Sequence, residues 1–460
     1  MSERLLYLGG SSFNAKNDGL GPSATALQIG DKAIGVDCGL EILSKDRYGL
    51  PDFSLLKSGN HKLSALVLTH SHLDHVGGVG QASENGMFAQ DAVIWASPQT
   101  NAILPSVLHE TWGRGLGQDY YSGVNVPLEL RRNVPLGEFE ILPGIRAFTG
   151  AAGHIPGALY LVIETPSGKK ILFCGDNGWH EQEVVGGSSL PDDIPDSWLP
   201  DIIAMTDLTN PSLTSFDYEL EMGRLVRHVG ESLAKKRIIV IAAFANGRAQ
   251  NIALALAKAG IKPLYADGSS VGIFRIFKDN RWSPKDKDFS LDGVEFIEHG
   301  IAQREELLEE GGRVITTPAG FGDGGPIRFW LERGLENPSF EFIATSWLLP
   351  GCTMDRLLQR VEKRKETGRA HIVLEDEYGS KNKKKRYEIK CAACRFHLSA
   401  HGGLGETVEM TKKIVSRRGK ELETIVLTHG NQESKRLAAN VLRPHANSVI
   451  SGQIGTVISL

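Results

Sequence analysis

Three histidines and one aspartate stand within six positions of this chain, in the run Thr-His-Ser-His-Leu-Asp-His over 69–75. Imidazole and carboxylate groups without a thiolate are ligands of zinc, manganese or iron. So many ligands in one short run favour two ions over a single tetrahedral one. A histidine-rich polar loop is the alternative, but we interpret His70, His72, Asp74 and His75 as a metal site.

A buried strand and a turn are the elements that must position these ligands. The apolar run over 65–68 is short and aliphatic, as in a buried strand, and Gly77 and Gly78 let the chain turn away after the ligands. Four other apolar runs end in the same manner, at Asp37, Asp176, Asp207 and His429. Such a pattern is typical of an α/β or layered β protein that presents a site along one sheet edge.

Composition limits the class of protein. A chain of 460 residues with 41% hydrophobic content can bury two domain cores. Its net charge of −4 gives no overall attraction to nucleic acid, so polyanion binding would need local basic patches or bound metal. The five cysteines are odd in number and scattered, which favours reduced thiols in a cytosolic protein; Cys391 and Cys394 form a C-x-x-C without a second pair. No apolar stretch reaches about 18 residues, so we expect a soluble intracellular protein with no membrane association.

The middle third of the chain has a different rhythm. Strand-like runs at 238–244, 263–267, 314–317 and 340–345 alternate with helix-like segments such as 249–259, which predicts a mostly parallel sheet and a separate α/β domain. Because ligand candidates lie on both sides of this block, we interpret it as an insertion. The predicted domains are 1–206, 207–390 and 391–460. The basic run over 381–386 is either a solvated hairpin tip or a nucleic-acid contact.

Further motifs carry a resemblance to a known family. His154 lies in Ala-Gly-His-Ile-Pro-Gly-Ala, and Asp176 follows Cys-Gly; with the first run they resemble the metallo-β-lactamase superfamily in order and spacing. The stretch over 243–250, Ala-Phe-Ala-Asn-Gly-Arg-Ala-Gln, resembles the signature of the β-CASP nucleases. The segments 265–268, 317–326, 398–401 and 427–430 are similar to others of that family. The resemblance implies a metallo-β-lactamase αββα sandwich with an inserted β-CASP α/β domain.

The resemblance also implies roles for individual residues. Two zinc ions are expected, with manganese as the alternative: one ion held by His70, His72 and His154, the other by Asp74, His75 and His429, with Asp176 between them. Asp37 would support the histidine loop. His401 would be the general acid, oriented by Asp207, while Asp74 is counted with the catalytic residues. Arg248, Ser399, Gly324 and Gly325 are the candidate substrate contacts.

The motifs point in two directions on the kind of nucleic acid. His429 matches a histidine found in the RNA-processing members, whereas Asp207 stands where those members usually carry glutamate and the DNA nucleases aspartate. We expect a zinc-dependent ribonuclease that cleaves single-stranded RNA as an endonuclease, with 5′ exonuclease action as an additional mode. The alternatives are a DNA nuclease of the Artemis type and a non-catalytic subunit of an RNA-processing complex. RNA is the expected partner, and a homodimer is left open.

Overall fold

The computed structural model describes residues 2–10, 21–41, 49–113, 128–213, 217–375 and 384–460. Strands are numbered β1 to β22 and helices α1 to α12 in chain order. Two seven-stranded sheets and one six-stranded sheet form the framework.

The first sheet contains the strand that leads into the histidine run. Its order is β22 (Val457–Ser459), β1 (Glu3–Tyr7), β2 (Thr25–Ile29), β3 (Lys32–Val36), β4 (Leu63–Val67), β5 (Phe88–Ala96) and β6 (Arg131–Asn133). Strands β3 to β6 pair in parallel, so the carboxyl ends of β3 and β4 lie at one edge. Asp37 and Thr69 meet there, because the Thr69 amide donates to the Asp37 carboxylate over 2.7 Å.

The second sheet carries the remaining ligand candidates. Its order is β21 (Ala446–Ser451), β20 (Leu422–Leu427), β11 (Ile202–Met205), β10 (Lys170–Phe173), β9 (Leu159–Glu164), β8 (Ile145–Ala151) and β7 (Gly137–Leu142). Strands β10, β11 and β20 are parallel neighbours, although more than 200 residues separate the last two. Asp176, Asp207 and His429 therefore follow adjacent strand ends.

The two sheets pack face to face over a common core that includes Tyr7, Ile34, Phe173 and Ile202. The Tyr7 hydroxyl crosses this core and donates to the Ala204 carbonyl over 2.7 Å. Helices cover both outer faces: α1 (Ser54–Ser58), α2 (Leu73–Val76), α3 (Val79–Glu84) and α4 (Pro98–Gly113) lie beside the first sheet, and α11 (Leu404–Arg418) and α12 (Gln432–Leu442) beside the second. Because strands such as β4 are covered on both faces, their sequences are almost wholly apolar. The expected αββα sandwich is confirmed.

The third sheet lies in the segment between β11 and β20. Its order is β14 (Glu295–Phe296), β13 (Leu264–Ala266), β15 (Arg313–Thr317), β12 (Ile238–Ala242), β16 (Phe340–Ala344) and β19 (Ala392–Arg395). All five pairings are parallel, which confirms the expected α/β class. The connecting helices are α5 (Tyr218–Ala234), α6 (Arg248–Lys258), α7 (Ser270–Asp279), α8 (Gly300–Glu306), α9 (Ile327–Gly334) and α10 (Thr353–Thr367). The predicted domain limits stay predictions; β19 extends this sheet to Arg395, five residues beyond 390.

A separate hairpin contains part of the basic run. Strands β17 (His371–Glu375) and β18 (Lys384–Glu388) pair antiparallel. Residues 381–383 lie outside the described part of the chain, while 384–386 are exposed on β18. Short 3-10 helices at Leu128–Leu130, Asp196–Trp198 and Arg443–His445 complete the described elements. None of the described helices combines the length and apolarity needed to span a membrane.

Candidate metal centre

The predicted ligands lie in loops that leave the two packed sheets at one edge. His70 and His72 follow β4, and α2 brings Asp74 and His75 back towards them. His154 lies in the loop after β8, where Gly153 has a φ of +73° and a Cβ would lie 2.3 Å from the Ser188 amide nitrogen. Only glycine fits that position, because it combines a left-handed backbone with a close approach of two chains.

The first cluster of ligand atoms contains His70, His72, His154 and Asp176. The Nδ1 atom of His72 lies 3.0 Å from His70 Nε2 and 3.1 Å from His154 Nε2. An Asp176 oxygen, Oδ2, lies 3.5 Å from His70 Nε2 and 3.8 Å from His154 Nε2. Nitrogens that ligate one tetrahedral zinc at about 2.0–2.1 Å are roughly 3.3 Å apart, so these separations fit one ion.

The second cluster contains Asp74, His75 and His429. The other oxygen of Asp176, Oδ1, lies 3.3 Å from His75 Nε2 and 3.2 Å from His429 Nε2. The Nε2 atom of His429 also lies 3.7 Å from an Asp74 oxygen. Asp176 thus turns one oxygen to each cluster, as a carboxylate between two ions must.

The outer ring nitrogens of four histidines are held by other parts of the protein. The Nδ1 atom of His75 lies 2.7 Å from Asp37 Oδ2. His72 Nε2 lies 3.1 Å from the Asn246 carbonyl, His154 Nδ1 lies 3.2 Å from the Ala400 carbonyl, and His70 Nδ1 lies 3.2 Å from the Thr69 hydroxyl. Metal-bound histidines typically give their second nitrogen to a carboxylate or carbonyl, which fixes the ring.

Three buried atoms at the centre support a fit for metal. His75 Nε2, Asp176 Oδ1 and His429 Nε2 have no hydrogen-bond partner. Leaving such atoms buried and unpaired costs about 1–3 kcal/mol each, so a pair of divalent cations accounts for them better than an empty polar cavity. The donor set of five imidazoles and two carboxylates suits zinc or manganese.

The histidines of the two clusters have pKa values that are shifted in opposite directions. Burial lowers the pKa of His70, His72 and His154, and mutual repulsion among the histidines adds to it, which favours the neutral rings that bind metal. Burial also opposes protonation of His75 and His429, but nearby carboxylates together outweigh it and raise the pKa of both rings: Asp176 and Asp37 for His75, and Asp176 and Asp74 for His429. A cation between these two rings would compete with those protons.

His401 and Asp207 form a pair beside the centre. Residue 207 follows β11, and its Oδ2 lies 2.9 Å from His401 Nδ1 and accepts the Asn177 amide over 3.1 Å. His401 Nδ1 is also 3.8 Å from Asp176 Oδ2. Burial opposes protonation of His401, but Asp207 and Asp176 together raise its pKa. The His401 side chain is 17% exposed against 2% for Asp176, so it is open to an incoming molecule.

The candidate substrate contacts lie in different environments. Arg248 begins α6, is buried, and donates to the Thr345 carbonyl over 2.8 Å, which is a structural contact. Ser399 accepts the His401 amide over 3.2 Å and so helps to shape the His401 loop. Gly324 and Gly325 lie in the loop between β15 and α9 and are partly exposed. Their predicted substrate roles stay predictions.

One contact in the surroundings was not expected from the sequence. Asn246, besides its contact with His72, donates its side-chain amide to the Ser71 hydroxyl over 2.8 Å, so the inserted segment directly braces the histidine run. The position of Asn246 in the 243–250 motif was the sequence feature that could have indicated this contact.

The two cysteines of the C-x-x-C, Cys391 and Cys394, are free thiols on opposite faces of the third sheet. Cys394 lies near His228 and Glu341, but the Glu341 carboxylate already accepts hydrogen bonds from Ser232 and Arg237.

Comparison with known proteins defines the class. Residues 17–211 match the model of the metallo-beta-lactamase superfamily, a range that includes the first six ligand candidates and Asp207. A crystal structure of a protein of unknown function from Enterococcus faecalis V583 is similar with a TM-score of 0.54, 14% identity and full coverage of both chains, which shows the fold alone. The chain is a metallo-β-lactamase fold protein.

Relatives over most of the length refine that class. The chain is 24% identical to a protein of Methanocaldococcus jannaschii named a probable RNase, over 96% of this chain and 97% of the relative. It is 25% identical to an RNase of Saccharolobus solfataricus, over 96% and 83%, and 25% identical to Integrator complex subunit 11 of Danio rerio, over 52% and 40%. The chain contains a metallo-β-lactamase domain, is similar over most of its length to β-CASP proteins named ribonucleases, and is a metal-dependent hydrolase.

Proposed function

We propose that this chain is a two-zinc ribonuclease that cleaves single-stranded RNA, chiefly as an endonuclease and also from the 5′ end. The observation that carries the proposal is the placement of His401, whose Nδ1 atom is 2.9 Å from Asp207 and 3.8 Å from the Asp176 carboxylate. A lactamase or glyoxalase site needs no such acid, whereas the departing 3′ oxygen of a phosphodiester does. Relatives named ribonucleases support RNA as the substrate.

Each residue has a part in the proposed chemistry. Two divalent ions, when bound, supply a nucleophile at neutral pH and neutralise phosphate oxygens. His70, His72 and His154 would hold one ion and Asp74, His75 and His429 the other, while Asp176 would contact both. Asp207 fixes His401 through Nδ1, so the opposite ring nitrogen can donate a proton to the leaving 3′ oxygen. The products would carry a 5′-phosphate and a 3′-hydroxyl.

One observation favours a second candidate function. Residue 207 is an aspartate, shorter by one methylene than glutamate, and it still reaches His401 at 2.9 Å. Because the DNA nucleases that the chain resembles carry aspartate at this position, a DNA nuclease is the second candidate. A non-catalytic subunit is disfavoured, because the two clusters and His401 are all in place. A cytoplasmic location fits the free thiols, and a homodimer is an untested assembly.

The test compares matched substrates and variants. The zinc-loaded protein is incubated with RNA and DNA of one sequence, labelled at either end, beside His401→Ala and the control His397→Ala. His397 is exposed and lies in the same segment, outside the centre. We expect RNA cleavage, a loss in kcat of about 10²–10⁴ for His401→Ala, and native activity for the control.

The outcomes separate the candidates. Equal cutting of both polymers would favour the DNA nuclease, and the label pattern distinguishes endonuclease from exonuclease. Undiminished RNA cleavage by His401→Ala would remove the acid assignment. Full zinc content with no turnover on either polymer would revive the non-catalytic candidate.

A further inference from the structure

Three aromatic side chains form a row that leads from the metal centre to the surface. The ring centroids of Phe244 and Phe321 are 5.3 Å apart with the planes at 90°, and those of Phe321 and Trp347 are 6.3 Å apart at 80°. Trp347 is 52% exposed, and it is the one aromatic among the large exposed hydrophobic residues of the described chain. We call Phe244, Phe321 and Trp347 the aromatic row.

The aromatic row lies where a parallel sheet presents ligands. Phe244 follows β12, Phe321 follows β15 and Trp347 follows β16, and these three strands are adjacent and parallel. All three rings therefore stand outside the carboxyl ends of neighbouring strands, the edge at which α/β sheets bind ligands. Phe321 also belongs to the loop that contains Gly324 and Gly325.

The inner end of the row is continuous with the metal centre. Phe244 is two residues from Asn246, whose carbonyl lies 3.1 Å from His72 Nε2 and whose amide binds Ser71. A polymer with one bond at the centre can therefore extend along this edge of the third sheet.

Two guanidinium groups add positive charge at the same edge. Arg248 donates to the Thr345 carbonyl over 2.8 Å, and Arg395, at the end of β19, donates through Nε to the Ser346 carbonyl over 3.1 Å. Both contacts are to neutral carbonyls of the segment that leads into Trp347. Among the described residues neither arginine forms an ion pair within 4.0 Å, and the Asp355 carboxylate acts on Arg395 from farther away. The chemistry beside the exposed indole thus suits an anion.

We propose that Trp347 is a stacking platform for a nucleobase of single-stranded RNA whose cleaved bond lies at the metal centre; this rests on the proposed function. An exposed indole beside two cationic groups that form no ion pair matches the pairing of base and phosphate in one nucleotide, and stacking on aromatic rings is how single-stranded nucleic acids are held without sequence preference. Phe321 supports the indole edge, and the row as a whole sets the direction of the strand. An apolar protein partner would not need the two cations.

Binding of a fluorescein-labelled 12-nucleotide oligoadenylate tests the proposal. Anisotropy is measured in the His401→Ala background, so that the RNA survives. We expect Trp347→Ala to weaken binding by about 5- to 150-fold, Trp347→Phe to retain most of the affinity, and Ile301→Ala to bind as the parent does. Ile301 is the matched control, since it is a 64% exposed hydrophobic residue on α8. Native affinity in Trp347→Ala would overturn the platform.

An abasic series identifies the contact. If one nucleotide stacks on Trp347, its replacement by an abasic unit weakens binding to the parent but not to Trp347→Ala. Equal effects on both proteins at every position would contradict stacking.

A small substrate separates this proposal from the proposed function. Bis(p-nitrophenyl) phosphate reaches the metal centre without the row, so Trp347→Ala with active His401 should hydrolyse it at the native rate. If the native protein cleaves neither this diester nor RNA, the proposed function fails while the oligoadenylate affinities still decide the platform. If RNA is cleaved but Trp347→Ala has a native KM, the platform fails and the function stands.

Discussion

At the scale of single residues, the chemistry of the centre depends on which atom of each ring faces inward. His72 turns Nδ1 towards its neighbours, whereas His70, His154, His75 and His429 turn Nε2. The choice follows from the partner on the other side of each ring, such as Asp37 for His75. The spacing of histidines in the sequence does not contain this information.

Asp207 is the residue whose proposed role is most sharply testable. Its two oxygens accept the Asn177 and Thr209 amides, so it is rigid when it meets His401. We expect Asp207→Asn to lower kcat on RNA by roughly 10–10³-fold, because neither amide orientation can both accept those amides and hold the protonated ring. Hydrolysis of bis(p-nitrophenyl) phosphate should fall much less, since its leaving group needs no proton.

Zinc content and the rates on RNA and on bis(p-nitrophenyl) phosphate together test whether Asp207 acts through His401. Zinc measured by mass spectrometry should remain at the native level in Asp207→Asn. Equal losses on both substrates would show that Asp207 acts on the centre as a whole and not through His401.

At the scale of elements, one carboxylate joins two loops and the first turn of α4 near His154. Asp286 is buried and accepts the Gly157 amide over 3.1 Å, the Ser283 amide over 2.9 Å and the Gln99 side chain over 2.9 Å. A small apolar cluster that includes Ile155 and Phe277 packs at the same junction. Since Gly157 is three residues from His154, this junction holds the ligand loop against the inserted segment.

Removing that carboxylate should loosen the junction. We expect Asp286→Ala to lower the free energy of unfolding by about 2–4 kcal/mol, because it leaves several buried donors unpaired. Urea denaturation measures the loss. The control Asp288→Ala removes a side chain that is 82% exposed and should change stability by less than about 0.5 kcal/mol. A similar small change in Asp286→Ala would mean that the junction is held by the apolar contacts alone.

At the scale of the whole molecule, the centre closes a long loop of chain. Asp176 and His429 meet at 3.2 Å although the entire third sheet lies between them in the sequence. Both seven-stranded sheets supply ligand loops, so an ion that binds here stabilises their packing. The unfolded chain cannot present this arrangement, and binding energy becomes folding energy.

Zinc should therefore raise the melting temperature. At a free concentration of 100 times Kd the ion adds about 2.7 kcal/mol, which corresponds to roughly 3 °C in a chain of this size. Differential scanning fluorimetry after chelation and after zinc addition measures the shift. Asp176→Asn should lose most of it, and His397→Ala should keep it; a native protein that melts at one temperature in both states would contradict the metal assignment.

The fold class and the chain positions of the site could be predicted from the amino-acid sequence. Short apolar runs ending in His70, Asp176, Asp207 and His429 are local signals, because a buried strand and the residue after it lie within a few positions of each other. The alternation of strands and helices over the middle third likewise predicted a parallel sheet. The fold class is confirmed, and the structure brings the predicted ligands together, while their roles stay predictions.

The surroundings of those residues are visible only in the folded chain. The contact of Asn246 with His72, the junction at Asp286 and the aromatic row each join segments that are far apart in the chain. Such contacts depend on the order and register of strands in three sheets, and a single sequence carries no local signal for either. Ligand types are set by side chains along the chain, whereas the partners of those ligands are set by long-range packing.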